Sequence, residues 1–298
     1  MMYHQPVLLK ESIEGLNIRK GGIYVDATFG GGGHSQEILK HIGDGSLIAF
    51  DQDQDALKNK LDDQRLILIN QNFRFIRNFL KLYRAVPVDG ILADLGISSH
   101  QIDEPERGFS LRYEGELDLR MNQRKNLTAA NIVNEYSVNK LREIFYSYGE
   151  LNNSNKIATE IEHARTKEKI KTTKQLQEAT RSCAPKGLEN KFYAKLFQAL
   201  RIEVNDELGS LKELLNQSVD LLKSGGRLVV ISYHSLEDRL VKNFLKAGDF
   251  EGEITKDFFG NPQSKFKLIN RKPIVPGEEE INRNNRARSA KLRIAEKI

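Results

Sequence analysis

A single cysteine, Cys183, stands in 298 residues. That excludes an internal disulfide framework and any CxxC metal knuckle, and it fits a reducing compartment. The six histidines are scattered, with no HExxH and no paired spacing, so no metal site is expected. No apolar run approaches the length of a membrane span, and the start, MMYHQPVLLKES, lacks the apolar core of a signal peptide. A cytoplasmic chain with no membrane partner is the expectation. Internal repeats and low-complexity tracts are missing too. Hydrophobic residues at 39% and charged residues at 29% suit a globular chain rather than a disordered one.

Charge of one sign is only mildly in excess, with Lys+Arg 46 against Asp+Glu 41 and a formal net charge of +5. This permits a polyanionic partner without specifying one. Part of the excess gathers near the end, at Arg283, Arg286, Arg288, Lys291 and Arg293. A solvated face is the plain reading of such a run. Alternation in SAKLRIAEK predicts a final strand, with Lys291 and Arg293 facing solvent opposite Leu292 and Ile294.

What the chain does have is rhythm. GIYVDATF, SLIAFDQD, LILIN and VDGILADLG read as strands, each nearly apolar throughout. SQEILKHI, DALKNKL and FIRNFLKLY between them read as helices. Such alternation predicts an α/β fold with a mostly parallel sheet covered on both faces. From Asn126 to Leu208 only helical patterns occur, with Thr172 and Gln175 at capping-box spacing. The long run from Asn190 to Gly226 is amphipathic, and Gly209 is a candidate break in it. The strand pattern then returns in RLVVISY. The expected organisation is one α/β domain over 1–105 and 209–298, interrupted by a helical insertion over 106–208.

The segment VDATFGGGGHSQEIL makes room for a ligand at a strand-to-helix turn. A phosphate-binding P-loop needs Gly-Lys-Ser/Thr at the helix start, but Gly33-His34-Ser35 has no lysine. A dinucleotide fingerprint needs GxGxxG. Gly30 and Gly32 supply the first two glycines and Ser35 holds the third position, so the match is incomplete. S-adenosylmethionine carries no phosphate and needs neither feature. Asp51 ends the second strand about 20 residues later, the place of a ribose-binding carboxylate. NAD would use the same acid, and helix capping is a competing role, since Asp53 and Asp55 also precede a helix. The other strand ends are Asn72–Phe73, Asp94 and Ser232–His234. Phe73 is placed to stack on adenine, or simply to pack in the core.

HQPVLLKE, DATFGGGGHS, DGILADLGISSHQ, ERGFS, LDLRM, FQALRIEVNDEL, SYHSLEDR and NNRARSAKLR follow one another over nearly the whole chain. Together they closely resemble the bacterial 16S rRNA (cytosine-N4)-methyltransferase family, RsmH, also called MraW. The resemblance implies a class I S-adenosylmethionine-dependent methyltransferase fold, Rossmann-like, with an inserted all-helical domain for substrate recognition. It implies S-adenosylmethionine as cofactor and the N4 amine of a decoding-centre, P-site cytidine of 16S rRNA as acceptor. The implied partner is the small ribosomal subunit, with a homodimer left open. The implied cofactor contacts fall on Gly32, Gly33, His34, Asp51, Phe73, Asp94 and Gln101. Gly31, Leu111 and Leu119 depart from the usual residues of the family, and NNSNKIATEI is looser than its usual segment.

The exocyclic amine of cytosine is a poor nucleophile, so transfer needs in-line alignment and acceptors for the amine hydrogens. Asp94, with Ser98 and Ser99 after it, offers such oxygens, as does the SYHS turn with Ser232 and His234. Asp94 and His234 are the catalytic candidates. Ser235 and Asp238 also have capping-box spacing, so His234 equally reads as part of a helix start. Cys183 lies in the helical insertion, away from every strand end, which argues against a thiol adding to the cytosine ring. Two other classes stay open: an amine methyltransferase acting on DNA or protein, and a non-catalytic ribosome-assembly factor.

Overall fold

The computed structural model describes residues 6–253 and 264–298. His4 and Gln5 of the first motif lie outside the described residues. Two compact units divide the chain: residues 1–96 with 208–298, and residues 97–207.

The first unit is built on a seven-stranded sheet. Its strands are β1 (Ile23–Asp26), β2 (Ser46–Phe50), β3 (Leu66–Ile69), β4 (Val88–Asp94), β5 (Leu222–Ser232), β6 (Phe266–Leu268) and β7 (Lys291–Lys297). Their order across the sheet is β3-β2-β1-β4-β5-β7-β6. The first five run parallel, and β7 lies antiparallel between β5 and β6. This is the class I methyltransferase arrangement, a Rossmann-like and mostly parallel sheet.

Alternation sorts the strand residues onto two faces. Val25, Ile48, Ile91, Leu228 and Val230 enter one core, which includes Ile76 and Leu80 of helix Ile76–Leu82 and Val241 and Phe244 of helix Ser235–Ala247. Tyr24, Leu47, Leu92, Val229 and Ile231 enter the other, with Leu16 of helix Leu9–Leu16 and Ile38 of helix Gly33–His41. Both faces are therefore covered, and each buried side chain of this size contributes about 1.5–3 kcal/mol. Between β1 and β4 the chain reverses the direction in which it adds strands. Such a reversal opens a crevice at the carboxyl ends of the strands.

The second unit is helical, with helices Ser99–Asp103, Ala129–Glu135, Val138–Ser147, Ser154–Arg165, Thr173–Ala179 and Glu189–Asn205. Its own core includes Ile132, Leu141, Phe145, Ile157, Leu176 and Leu196. Thr172 and Gln175 form the anticipated capping box. Asn205 is buried and ties the last helix to the loop at 119–121: its Oδ1 accepts from Met121 N at 2.8 Å, and its Nδ2 donates to Leu119 O at 2.8 Å.

Several details differ from the sequence reading. The first unit ends at Gly96, ahead of the expected 105/106 break, because Ile97 and Leu111 pack on the helical core. The long amphipathic run breaks at Asp206, whose left-handed φ of 51° ends one helix, and Gly209 lies inside the next, Glu207–Leu221. DALKNKL forms only a 3-10 stretch, Asp55–Asn59, in which Ala56 alone is buried. The final strand exists, but Arg293 does not face solvent; it is 8% exposed. Because β7 is an inner strand, this face is covered by helix Ser235–Ala247, and Asp238 there meets Arg293 Nε at 2.7 Å and Lys291 Nζ at 3.1 Å. Burial raises the Asp238 carboxyl, but these two cations outweigh it and hold it below its usual range. Among the described residues no helix is long and apolar enough to cross a membrane.

Candidate functional site

The strand ends of the first unit meet around the glycine loop that links β1 to helix Gly33–His41. Gly30 and Gly32 have φ of +52° and +79°, left-handed values that a side chain would strain. Gly33 is required for another reason. A Cβ there would lie 2.2 Å from Pro6 Cγ, so the approach of the N-terminal segment leaves room for hydrogen only. The same segment is held by His34, whose Nε2 is 3.1 Å from Val7 O. Ser35, which interrupts the dinucleotide fingerprint, donates its hydroxyl to Asp26 Oδ2 at 2.6 Å. Asp26 Oδ1 accepts from Thr28 N at 3.0 Å, so the last residue of β1 braces both ends of the loop. Burial raises the Asp26 carboxyl despite these donors.

Asp51, just past β2, holds the loop from the other side. Its Oδ2 accepts from Gly30 N at 2.8 Å and its Oδ1 from Asp53 N at 2.8 Å. Asp51 therefore closes a turn rather than capping a helix. Each oxygen keeps a second lone pair for a ligand hydroxyl. Burial pushes this carboxyl up to about 7, against the pull of the two backbone donors, with the charges of Asp53 and Asp26 adding to the rise. Phe73 opens a 3-10 turn beyond β3, capped by Asn72, and packs part-buried against the core.

Asp94 ends β4. Its backbone N–H donates to Thr28 Oγ1 at 2.7 Å, which fixes it to the glycine loop. Its Oδ1 accepts from the Tyr233 hydroxyl at 2.8 Å. Its Oδ2 lies 3.9 Å from His34 Nδ1, and 23% of the side chain reaches solvent. Burial pushes Asp94 up to about 7; the Tyr233 bond pulls it down, while Asp26 and Glu237 push it further up. His34 is lowered to about 4 by burial, so its ring is neutral and adds no positive charge beside Asp94. Tyr233 is pushed well above 10 by burial and by Asp94, and remains a donor.

Tyr233 and Thr28 are the contacts that sequence reasoning missed. It named Ser232 and His234 in the same turn. Ser232 is buried, and its hydroxyl is directed across the sheet to Lys291 O at 3.4 Å. The available signal was the pairing of neighbouring strand ends: Asp94 is in register with Ile231, so the residue just past β5 reaches it.

His234 caps helix Ser235–Ala247 through a box with Glu237, one residue earlier than the expected Ser235–Asp238 pair. Glu237 Oε2 accepts from Tyr233 N at 3.0 Å, and Glu237 N donates to His234 Nδ1 at 3.4 Å. His234 Nε2 lies 3.2 Å from Glu237 Oε1 without hydrogen-bond alignment. Both ring nitrogens thus face Glu237.

Gly32, Gly33, His34, Asp51, Phe73 and Asp94 all belong to the strand-end crevice of the first unit. Gln101 belongs to the helical unit, where it is buried and completes a capping box with Ser98, accepting from Ser98 N at 3.0 Å. Ser98 is a helix cap in the same unit.

The crevice brings Asp26, Asp51 and Asp94 together, and among the described residues neither Asp51 nor Asp94 is paired with a lysine or arginine. A ligand carrying positive charge and hydroxyls suits this donor set, whereas a phosphate does not.

The pattern of the MraW methylase family matches residues 1–298. The ribosomal RNA small subunit methyltransferase H of Flavobacterium johnsoniae is 58% identical over 299 residues, covering 100% of this chain and 99% of that protein. The protein of that name from Cytophaga hutchinsonii is 57% identical over 298 residues, covering 99% and 100%. A third, from Bacteroides fragilis, is 56% identical over 296 residues, covering 99% and 97%. Among solved structures, a putative rRNA methylase from Clostridium thermocellum aligns with a TM-score of 0.48 at 16% identity, covering 99% of this chain and 100% of that one. Matched from end to end by the family pattern and by these relatives, the chain belongs to the MraW methylase family.

Proposed function

We propose that this chain transfers a methyl group from S-adenosylmethionine to the N4 amine of a decoding-centre, P-site cytidine in 16S rRNA. The observation that carries this reading is Asp94: a carboxylate at the end of β4, tied to the glycine loop through Thr28 and oriented by Tyr233. The names of the relatives, ribosomal RNA small subunit methyltransferase H, support the choice of acceptor.

Asp51 takes the ribose hydroxyls with its remaining lone pairs, and Phe73 covers the adenine. The backbone at Gly32, Gly33 and His34 lets the amino-acid end approach, and the resemblance adds Gln101 to the contacts. Bound there, S-adenosylmethionine supplies an electrophilic methyl on a positively charged sulfur. Its charge favours the ionised forms of Asp51 and Asp94.

Asp94 Oδ2 accepts a hydrogen of the cytosine amine, which frees the nitrogen lone pair from the ring. As the nitrogen gains the methyl it loses one proton, and Asp94 receives it. A carboxylate titrating at about 7 is matched to that task. Tyr233 keeps Oδ1 occupied and so leaves Oδ2 for the amine. His234 acts through Glu237 to set the turn that carries Tyr233. The thiol of Cys183, buried in the helical unit and raised by that burial, has no part in transfer to nitrogen. The target base must be unpaired or flipped from its stack, since a base pair occupies the amine. The helical unit, residues 97–207, recognises the RNA around it. No step needs a metal or a second copy of the chain.

Nucleoside mass spectrometry of 16S rRNA from cells with and without the protein tests the reading. N4-methylcytidine is expected only where the protein is present. The same nucleoside content in both would overturn the acceptor.

A further inference from the structure

A cavity of about 450 Å³ opens within the helical unit, lined by none of the residues assigned to the donor or the reaction. Helix Thr173–Ala179 supplies Lys174, Gln177 and Glu178 to its lining. The following 3-10 turn supplies Arg181, and the loop after it Lys186. Helix Glu189–Asn205 closes it with Glu189 and Tyr193.

Its charges are not balanced. Lys174, Arg181 and Lys186 are exposed, and among the described residues none makes an ion pair or side-chain hydrogen bond. Of the two acids, Glu189 is already engaged. Its carboxylate accepts from Gly187 N at 3.0 Å and from its own backbone N–H, and these donors hold it below its usual range. Tyr193 is half-buried, with its hydroxyl donated to Gln177 O at 3.1 Å. That bond fixes the ring at the cavity wall as an aromatic surface.

Three cations free of partners, a fixed aromatic ring and a cavity large enough for a nucleotide form one chemical set. Resting on the proposed action on ribosomal RNA, we propose that this cavity seats one or two nucleotides of the unpaired RNA strand. The cations meet backbone phosphates, Tyr193 offers a stacking face, and Glu178 accepts from a ribose 2′-hydroxyl. The carboxylates favour a strand with one charge per nucleotide and hydroxyl donors over a bare phosphate.

The test titrates the full chain with a single-stranded RNA oligonucleotide at several salt concentrations, without methyl donor. For the variant Lys174→Ala/Arg181→Ala/Lys186→Ala, binding should weaken about tenfold or more near ~0.1 M salt, and the salt slope should fall by about two to three. Donor affinity should be unchanged, since none of the three residues is among those assigned to the donor. A charge-preserving variant, Lys174→Arg/Arg181→Lys/Lys186→Arg, should keep the wild-type slope. An unchanged slope in the alanine variant overturns the proposal. So does RNA displacement by inorganic phosphate at equal ionic strength, which would make the cavity a site for free phosphate. Equal binding of DNA of the same sequence removes the 2′-hydroxyl contact and with it the assignment to RNA. Methylcytidine formation is read separately, so its absence with the slope change intact would overturn the acceptor and leave the cavity standing.

Discussion

The crevice of the sheet and the cavity of the helical unit are built from opposite charges. The crevice gathers Asp26, Asp51 and Asp94 under burial, and each carboxyl is raised because water has been withdrawn from it. The cavity leaves Lys174, Arg181 and Lys186 in solvent, where charge is inexpensive and effective only against a highly charged partner. Burial makes the first selective for a small cation that restores ionisation. Exposure suits the second to the proposed grip on a strand, with a strength that depends on salt. On the two proposals, one chain holds a cationic donor and an anionic acceptor by separate physical means.

The largest effect is expected at Asp94. Asp94→Asn removes the proton acceptor but keeps a hydrogen-bond partner for Tyr233, so turnover at saturating donor should fall by about 10²–10⁴-fold, beyond any weakening of donor binding. Single-turnover kinetics with purified small subunits measure this, and near wild-type turnover would remove Asp94 from the chemistry. Next comes Asp51→Ala, which deletes the proposed ribose contact and the brace on Gly30. Donor affinity should drop by roughly 1.5–3 kcal/mol, read by calorimetry on a folded variant. A smaller effect is expected for Tyr233→Phe. Losing the hydroxyl raises Asp94 further, so the pH profile of turnover should move to higher pH, whereas a purely structural tyrosine would lower turnover equally at every pH. Cys183→Ser should retain activity, because transfer to an amine needs no thiol adduct; loss of turnover in a folded variant would return attention to the ring carbon.

The carboxylates also predict how stability responds to pH. Asp51 and Asp94 are raised from about 4 unfolded to about 7 folded, so the folded chain holds protons more tightly. Their stabilising share is fully present below pH ~4 and is lost as pH rises through about 7. Thermal unfolding of the ligand-free chain should show this fall, superimposed on the titration of other groups, and Asp94→Asn should reduce it.

The two regions were unequally legible. The glycine loop, Asp51 and Asp94 follow from local rules, since a strand end, a positive φ and a ribose-spaced acid leave marks over short stretches of chain. The capping box at Thr172–Gln175 is local in the same way. Features decided by distant pairing were not legible. Tyr233 reaches Asp94 only because β5 lies beside β4, and Arg293 is buried because helix Ser235–Ala247 covers its face of β7 and brings Asp238 to it. His234 takes the cap from Ser235 because Glu237 bonds back to the amides of Tyr233 and His234, while Asp238 is drawn to β7. The cavity is lined wholly by residues between Lys174 and Tyr193, yet it left no sequence mark beyond scattered basic residues, since helical and turn patterning does not show which side chains of consecutive elements converge.

The most direct measurement is calorimetry of S-adenosylmethionine binding from pH 6 to 8 in buffers of different ionisation enthalpy. A cation entering between raised carboxyls must lower their affinity for protons. Binding should therefore release protons around pH 7, and affinity should rise with pH until the free carboxyls are ionised. Asp94→Asn should release fewer. Binding with no proton release across this range, and equal affinity at pH 6 and 8, would contradict a crevice whose raised carboxyls ionise around a cationic donor.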